Sequence, residues 1–343
     1  GLFFSLVSTS LIASDKLNTN SYYFFIKHLI FILLGFFILT FISFIEKIKL
    51  FKISLFLFFI FFACLILVPF IGVEVKGSRR WIDLPSPLPN FQPIELLKPF
   101  FIIAIASVIS FKKNKSVYFN YLLSIFVLVP VILLLVMQPD VGQIILLLFT
   151  WLSLIFVSGI NLIIFFLSFI FFGGIISYLI FFIPKFEYIQ NRILSFFNPT
   201  TGNNYQSERA SEAIINGGFF GKGVGEGTLN SKVPEAHTDY IVSVISEEFG
   251  VIVIILLMIV FLFFIYQVFK KIYFEINNKV KLILVGSASI ILFQTLIHLG
   301  VNIRLFPTTG MTLPFLSYGG SSIIGTAIIS GIILNLTKRK IYQ

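Results

Sequence analysis

The chain is written as a succession of long apolar runs, and that single feature removes most of the folds open to 343 residues. A helix that crosses a lipid hydrocarbon core needs about 20 apolar residues. Runs of that kind, bounded by polar or charged residues, lie near 1–14, 23–43, 51–73, 93–111, 118–137, 140–158, 160–183, 239–268, 281–301 and 312–336. Only 12% of the residues are charged, about half the share an ordinary soluble domain carries. Such a chain has too few charges to cover a surface facing water. The expected fold is therefore an all-α integral membrane protein. It has about ten transmembrane helices, the first truncated, in one polytopic domain over 1–343. Run 1–14 is too short to span, so further residues are expected ahead of Gly1, and a removed signal peptide is not expected, since no basic segment with a cleavage site is visible. The single cysteine, Cys64, lies inside an apolar run and can form no internal disulfide.

A formal net charge of +10 would point a soluble protein toward nucleic acid. Sorted by loop, it says something else. Thirteen basic residues (Lys47, Lys49, Lys52, Lys112, Lys113, Lys115, Lys270, Lys271, Lys279, Lys281, Lys338, Arg339 and Lys340) share one set of connections with two acids, Glu46 and Glu275. The rest of the chain holds 12 basic and 13 acidic residues. Lys/Arg excess marks cytoplasmic loops. Both termini are thus expected in the cytoplasm, and the loops 74–92 and 184–238 outside, the second a large extracytoplasmic loop between helices 7 and 8. The charge reports orientation, with no nucleic acid as partner.

The unusual chemistry falls on the outer side. Gly77-Ser-Arg79-Arg80-Trp81 sets two guanidinium groups beside an interfacial tryptophan. They suit phosphate, which arginine pairs bidentately, and equally suit anchoring at the membrane interface. In Gln92-Pro-Ile-Glu95-Leu-Leu-Lys98, two ionisable groups stand i,i+3 in the first turns of a span. At such depth they read as functional or as a mutually neutralising structural pair. Gln138-Pro-Asp140-Val-Gly-Gln143 has the ordinary chemistry of a helix start. Residues 203–216 look helical and amphipathic. The run Gly217-Gly-Phe-Phe-Gly-Lys-Gly-Val-Gly-Glu-Gly227 lacks the spacing of a P-loop. It reads as an anion cradle made of backbone N–H groups or as a flexible hinge.

Pro234-Glu-Ala-His237-Thr238-Asp239 leads into an apolar helix on which Asp239, Ser243, Ser246 and Glu247 share one face. A lipid-facing helix would not carry that stripe, so the face is expected to line a cavity; Asp239 alone would read as an N-cap. His298 reads as a core histidine. The last span opens with Pro307-Thr-Thr309-Gly310 and continues through Ser317-Tyr-Gly-Gly-Ser321-Ser322, a composition suited to a broken helix beside a cavity. Arg304 sits just outside it.

Taken in order, Gly77–Trp81, Gln92–Lys98, Gln138–Gly142, Tyr205–Gly227, Pro234–Gly250 and Pro307–Ser322 resemble the motifs of the SEDS family (shape, elongation, division and sporulation), which takes in FtsW, RodA and SpoVE. The glycine run and Pro234–Asp239 are closer to its division branch than to its elongation branch. Two positions depart from the pattern. Ile94 replaces a usual serine, and Thr309 stands where a lysine is usual, removing a cation near the presumed site.

The resemblance implies a peptidoglycan glycosyltransferase of the cytoplasmic (inner) membrane, working at its outer face during cell division. It would polymerise lipid II into glycan strands, with undecaprenyl pyrophosphate as leaving group. The family's essential acid falls on Asp239, which carries the catalytic expectation. Arg79, Arg80, Lys98 and Arg304 are candidate cations for the pyrophosphate. Trp81, Glu95, His237, Thr238, Ser317 and Ser321 complete the expected substrate site. A divalent cation (Mg or Mn) is a candidate cofactor. Expected partners are lipid II, the growing glycan strand, membrane lipid, a class B penicillin-binding transpeptidase and other division proteins. The competing readings are a lipid II flippase, an elongation-type polymerase and a division scaffold.

Overall fold

The computed structural model describes residues 1–4, 23–75, 78–85, 90–111, 117–197, 205–229 and 232–338. Most of the 1–14 run, Gly77, Lys112, Lys113, Lys115, Arg339 and Lys340 lie outside them. After a short turn at Leu2–Phe4 come α1 (Tyr23–Phe44) and α2 (Lys47–Ile71), then β1 (Val73–Val75) and β2 (Ser78–Trp81). Helices α3 (Pro93–Ile109), α4 (Val117–Met137), α5 (Val141–Val157) and α6 (Leu162–Phe182) follow. A 3-10 turn, Pro184–Phe186, precedes α7 (Glu187–Phe197) and α8 (Tyr205–Gly217), and the chain ends with α9 (Ile241–Phe274), α10 (Asn278–Asn302) and α11 (Gly320–Thr337).

Seven of these helices are long and apolar enough to cross a membrane: α1, α2, α4, α6, α9, α10 and α11. The chain is a multi-pass integral membrane protein. Helices α3 and α5 stand where two further spans are expected, each 17 residues long. The expectation of an all-helical chain needs one amendment. Loop 74–92 contributes a two-stranded antiparallel hairpin, with Val73 opposite Trp81 and Glu74 opposite Arg79.

The residues gather into two compact units. The first comprises 1–33, 176–264 and 294–319; the second comprises 34–175, 265–293 and 320–343.

In the second unit, α3 is the central element, packed against α2, α4, α5 and α11. Ile94, Leu97, Phe101, Ile102, Ile103 and Ile105 are wholly buried, so apolar residues face every direction around it. A helix apolar all round belongs inside a bundle. Phe61 of α2 stacks on Phe100, ring centroids 5.7 Å apart. α11 approaches closely enough that a methyl at Gly325 would collide with the Glu95 carbonyl.

In the first unit, α9 is interrupted at Gly250, where φ is 83° and ψ 167°. The break frees backbone groups that an unbroken helix would use internally, and the glycine run supplies their partners. Lys222 N–H donates to the Glu247 carbonyl (2.9 Å) and Gly223 N–H to that of Glu248 (3.1 Å). Val251 N–H in turn donates to the Gly218 carbonyl (3.0 Å). Side chains at Gly250 or Gly221 would collide with the opposing backbone. The run is therefore neither hinge nor anion cradle at these positions: its N–H groups are already spent on the broken helix.

Candidate functional site

The turn that carries His237, Thr238 and Asp239 folds over the carbonyl of Glu235, which accepts from the N–H groups of Thr238, Asp239 and Tyr240 at 3.1 to 3.2 Å. Helix α9 starts at Ile241, so Asp239 lies one residue ahead of the N-cap position. All three successive carbonyls are then gripped from outside. Tyr318 N–H donates to the His237 carbonyl at 2.9 Å. Ser317 Oγ donates to that of Thr238 at 2.7 Å while accepting from Leu313 N–H at 2.8 Å. Asn302 Nδ2 donates to that of Asp239 at 3.0 Å. The His237 ring sits among Phe24 (5.4 Å) and Tyr318 (5.8 Å).

Asp239 itself is half-buried, and its Oδ2 lies 3.7 Å from where a Cβ on Gly310 would stand. Gly310 has φ 71°, so that side of the carboxylate is bounded by bare backbone. Beside it, Tyr240 is buried, and burial together with the Asp239 charge pushes its phenol above the ordinary range.

The polar stripe below Asp239 is closed off from the surface. Ser243, Ser246 and Glu247 are fully buried. Ser243 donates through Oγ to Asn302 Oδ1 (2.9 Å), and Glu247 Oε1 accepts from Asn216 Nδ2 (2.8 Å) and Leu229 N–H (2.9 Å). Ser243 and Glu247 Oε1 thus anchor α10 and the 205–229 segment to α9, while Ser246 Oγ and Glu247 Oε2 are buried without a hydrogen-bond partner among the described residues. Asn302, which composition alone did not mark, is the hub: it accepts from Ser243 and donates to both Asp239 and His298 carbonyls. His298 is buried as expected, with Nδ1 2.7 Å from the Met311 carbonyl oxygen.

A cavity of about 680 Å³ lies in the same unit, lined by Tyr188, Arg192, Tyr205, Gln206, Arg304 and Thr308 among others. That is a usual volume for a small-molecule site. Thr308, in its wall, lies two residues before Gly310, the glycine beside the Asp239 carboxylate. Arg192 Nη1 donates to the Thr308 carbonyl at 3.2 Å, and its guanidinium lies 5.2 Å from the Tyr188 ring centroid. Sequence reasoning left Arg192 out of the site, because nothing in its neighbours ties it to residues more than a hundred positions away.

The remaining expected residues sit in the second unit and form a buried polar chain. Lys98 Nζ meets Glu95 Oε2 at 2.8 Å, and Glu95 Oε1 accepts from Gln143 Nε2 at 2.7 Å. Asp140 caps α5 and receives Arg80 Nη1 at 3.6 Å and Gln92 Nε2 at 3.4 Å. Arg80 also donates to the carbonyls of Pro139 (2.7 Å) and Gln138 (3.4 Å). In the turn before α5, burial raises the Asp140 carboxyl above the usual range, while Arg80 and Gln143 N–H pull it back. Ser321 Oγ accepts from Gln92 N–H at 3.0 Å. Arg79 faces Glu74 across the hairpin at 3.5 Å, both exposed, and Trp81 is half-buried at the end of β2. Three of the four cations expected at a pyrophosphate thus meet carboxylates: Arg79, Arg80 and Lys98. Lys98, only 2% exposed, is an internal partner of Glu95 rather than an open anion site.

The family model described as "Cell cycle protein" (FTSW_RODA_SPOVE) matches residues 1–342. The chain belongs to the FtsW/RodA/SpoVE family. It is 36% identical to the probable peptidoglycan glycosyltransferase FtsW of Buchnera aphidicola subsp. Schizaphis graminum, over 96% of this chain and 95% of that one. It is 34% identical to the protein of the same description in Coxiella burnetii, over 96% and 91%. Among solved structures, Thermus thermophilus RodA superposes with a TM-score of 0.70 at 25% identity, covering 100% of this chain and 96% of that one. A chain from the study "Structural coordination of polymerization and crosslinking by a peptidoglycan synthase complex" superposes with a TM-score of 0.78 at 25% identity, covering 98% and 96%. The FtsW/RodA/SpoVE fold is thus carried over the whole chain.

Proposed function

We propose that this chain polymerises lipid II into glycan strands, with Asp239 as general base and the undecaprenyl diphosphate as leaving group. The observation that carries the reading is the clamping of the His237–Asp239 backbone on three successive carbonyls while the Asp239 carboxylate faces the bare backbone of Gly310. A catalytic group needs that rigidity, because small misplacements cost rate steeply. The acceptor sugar hydroxyl gives its proton to Asp239 as its oxygen bonds to the donor's anomeric carbon. The bond from that carbon to the diphosphate oxygen breaks, and the diphosphate leaves with the electron pair. Relatives described as probable peptidoglycan glycosyltransferases support the reaction class.

A divalent cation, magnesium or manganese, belongs to the proposal in a limited form. Among the described residues no cluster of three or more His, Cys, Asp or Glu stands ready to hold a metal. Asp239 can offer one carboxylate, which suits an ion that keeps its waters and takes its other ligands from substrate phosphates. Such an ion would neutralise diphosphate charge.

The site belongs on the outer face of the cytoplasmic membrane, with both termini inside, as the loop charges require. The cell-division role rests on the FtsW relatives, and the transpeptidase partner on the solved peptidoglycan synthase complex. The test is to incubate the purified chain with lipid II, with and without a class B transpeptidase, and resolve glycan chains by length. Polymer formation is expected from the wild type and none from Asp239→Asn at unchanged melting temperature. Full activity in that variant would overturn the base assignment.

A further inference from the structure

Arg304 occupies a backbone position where arginine is costly. Helix α10 ends in a complete left-handed cap: Arg304 N–H donates to the Val301 carbonyl (3.2 Å) and Leu305 N–H to that of Gly300 (2.7 Å). In this motif the residue between those bonds takes positive φ and is ordinarily glycine. Arg304 has φ 56°, a conformation a side chain disfavours. Its guanidinium makes no ion pair among the described residues and lines the same cavity as Arg192. Among the described residues that line that cavity none is acidic. Close by, Thr309 supplies no cation, and its Oγ1 is buried without a hydrogen-bond partner among the described residues.

We propose that Arg304 and Arg192 form a diphosphate-binding subsite in this cavity, with Arg304 kept at a glycine position for its charge. Arg192 is pre-oriented by the Thr308 carbonyl and the Tyr188 ring, which leaves its remaining N–H groups for the ligand. Two planar guanidinium groups match the paired phosphates of a diphosphate better than a single carboxylate. The lining tyrosines and Gln206 suit an attached sugar. The assignment of the ligand as the diphosphate of an isoprenoid-linked donor rests on the glycosyl-transfer reading; the anion site itself does not.

The test uses Arg304→Gly in the purified full chain. Glycine relieves the strained backbone, so the melting temperature should hold or rise. Binding of inorganic pyrophosphate, followed by titration calorimetry, should weaken by on the order of tenfold, the size of a lost charged hydrogen bond. The same titration with undecaprenyl diphosphate in micelles should show tighter binding and the same loss, which identifies the lipid-linked form as the source. Unchanged affinity for both probes would overturn the subsite. A fall in melting temperature together with the loss of binding would overturn it too, because Arg304 would then serve the fold. Wild-type chain that binds pyrophosphate but makes no polymer would defeat the glycosyl-transfer reading and leave the subsite standing.

Discussion

Asn302 Nδ2 donates to the backbone carbonyl of Asp239 at 3.0 Å, from a position 63 residues further along the chain. The same amide nitrogen bonds the His298 carbonyl, and the amide oxygen takes both the N–H and the hydroxyl of Ser243. One buried side chain therefore fixes the last turn of α10, the start of α9 and the residue expected to do the chemistry.

Asn302→Ala should cost about 2–3 kcal/mol of stability, since it strands buried donors and acceptors. Asn302→Asp keeps the acceptor and loses the donor, so it should restore the Ser243 bonds without the Asp239 bond. Both variants should lose polymerisation more than tenfold. Melting curves and initial rates on lipid II measure the two effects. An Asn302→Ala chain with wild-type rate would show that the Asp239 backbone needs no such clamp.

Gly250→Ala should destabilise the chain by more than about 2 kcal/mol, because it places a side chain at positive φ and against the Phe219 carbonyl. Hydrogen exchange should rise at Lys222, Gly223 and Val251 together, because the bonds their N–H groups donate depend on the same break. Protection that changes at Gly250 alone would mean the glycine run is held by something else.

Glu95 and Lys98 give a third expectation. Breaking a buried pair by removing one partner leaves an uncompensated charge and costs about 3–5 kcal/mol. Glu95→Gln and Lys98→Met should each be severely destabilising, and the double variant milder than either. Thermal unfolding of the three variants closes the cycle. Additive effects would sink the idea of a tight internal pair.

A fourth outcome concerns Ser317, whose hydroxyl holds both Thr238 and Leu313. Ser317→Ala should lower the polymerisation rate with little change in the apparent lipid II affinity, since it loosens the turn without touching a cation. Steady-state kinetics separate the two, and a change in affinity alone would count against this positioning role.

Much of this was legible in the residues. Apolar runs gave seven of the ten expected spans at crossing length, because lipid imposes a length on every crossing helix. Lys98 three residues after Glu95 gave their ion pair because helix geometry makes i and i+3 neighbours. Asp140 before Val-Gly-Gln143 gave its cap for the same local reason. The amphipathic stretch at 203–216 appeared as α8 (Tyr205–Gly217).

What stayed hidden was nonlocal. The stripe Asp239, Ser243, Ser246 and Glu247 was visible, but its meaning depended on Asn302, Asn216 and Leu229, whose positions no periodicity on α9 reveals. The glycine run showed freedom of backbone, and only the break at Gly250 showed what that backbone pairs with. Arg79, Arg80, Lys98 and Arg304 were equal candidates as letters. The sequence by itself determined that the chain is a membrane helix bundle and which residues are chemically unusual, because hydropathy and short-range spacing are local properties. Tertiary structure alone decided which of those charges are neutralised from within and which guanidinium groups remain facing a cavity, because a charge's availability depends on partners brought together by packing.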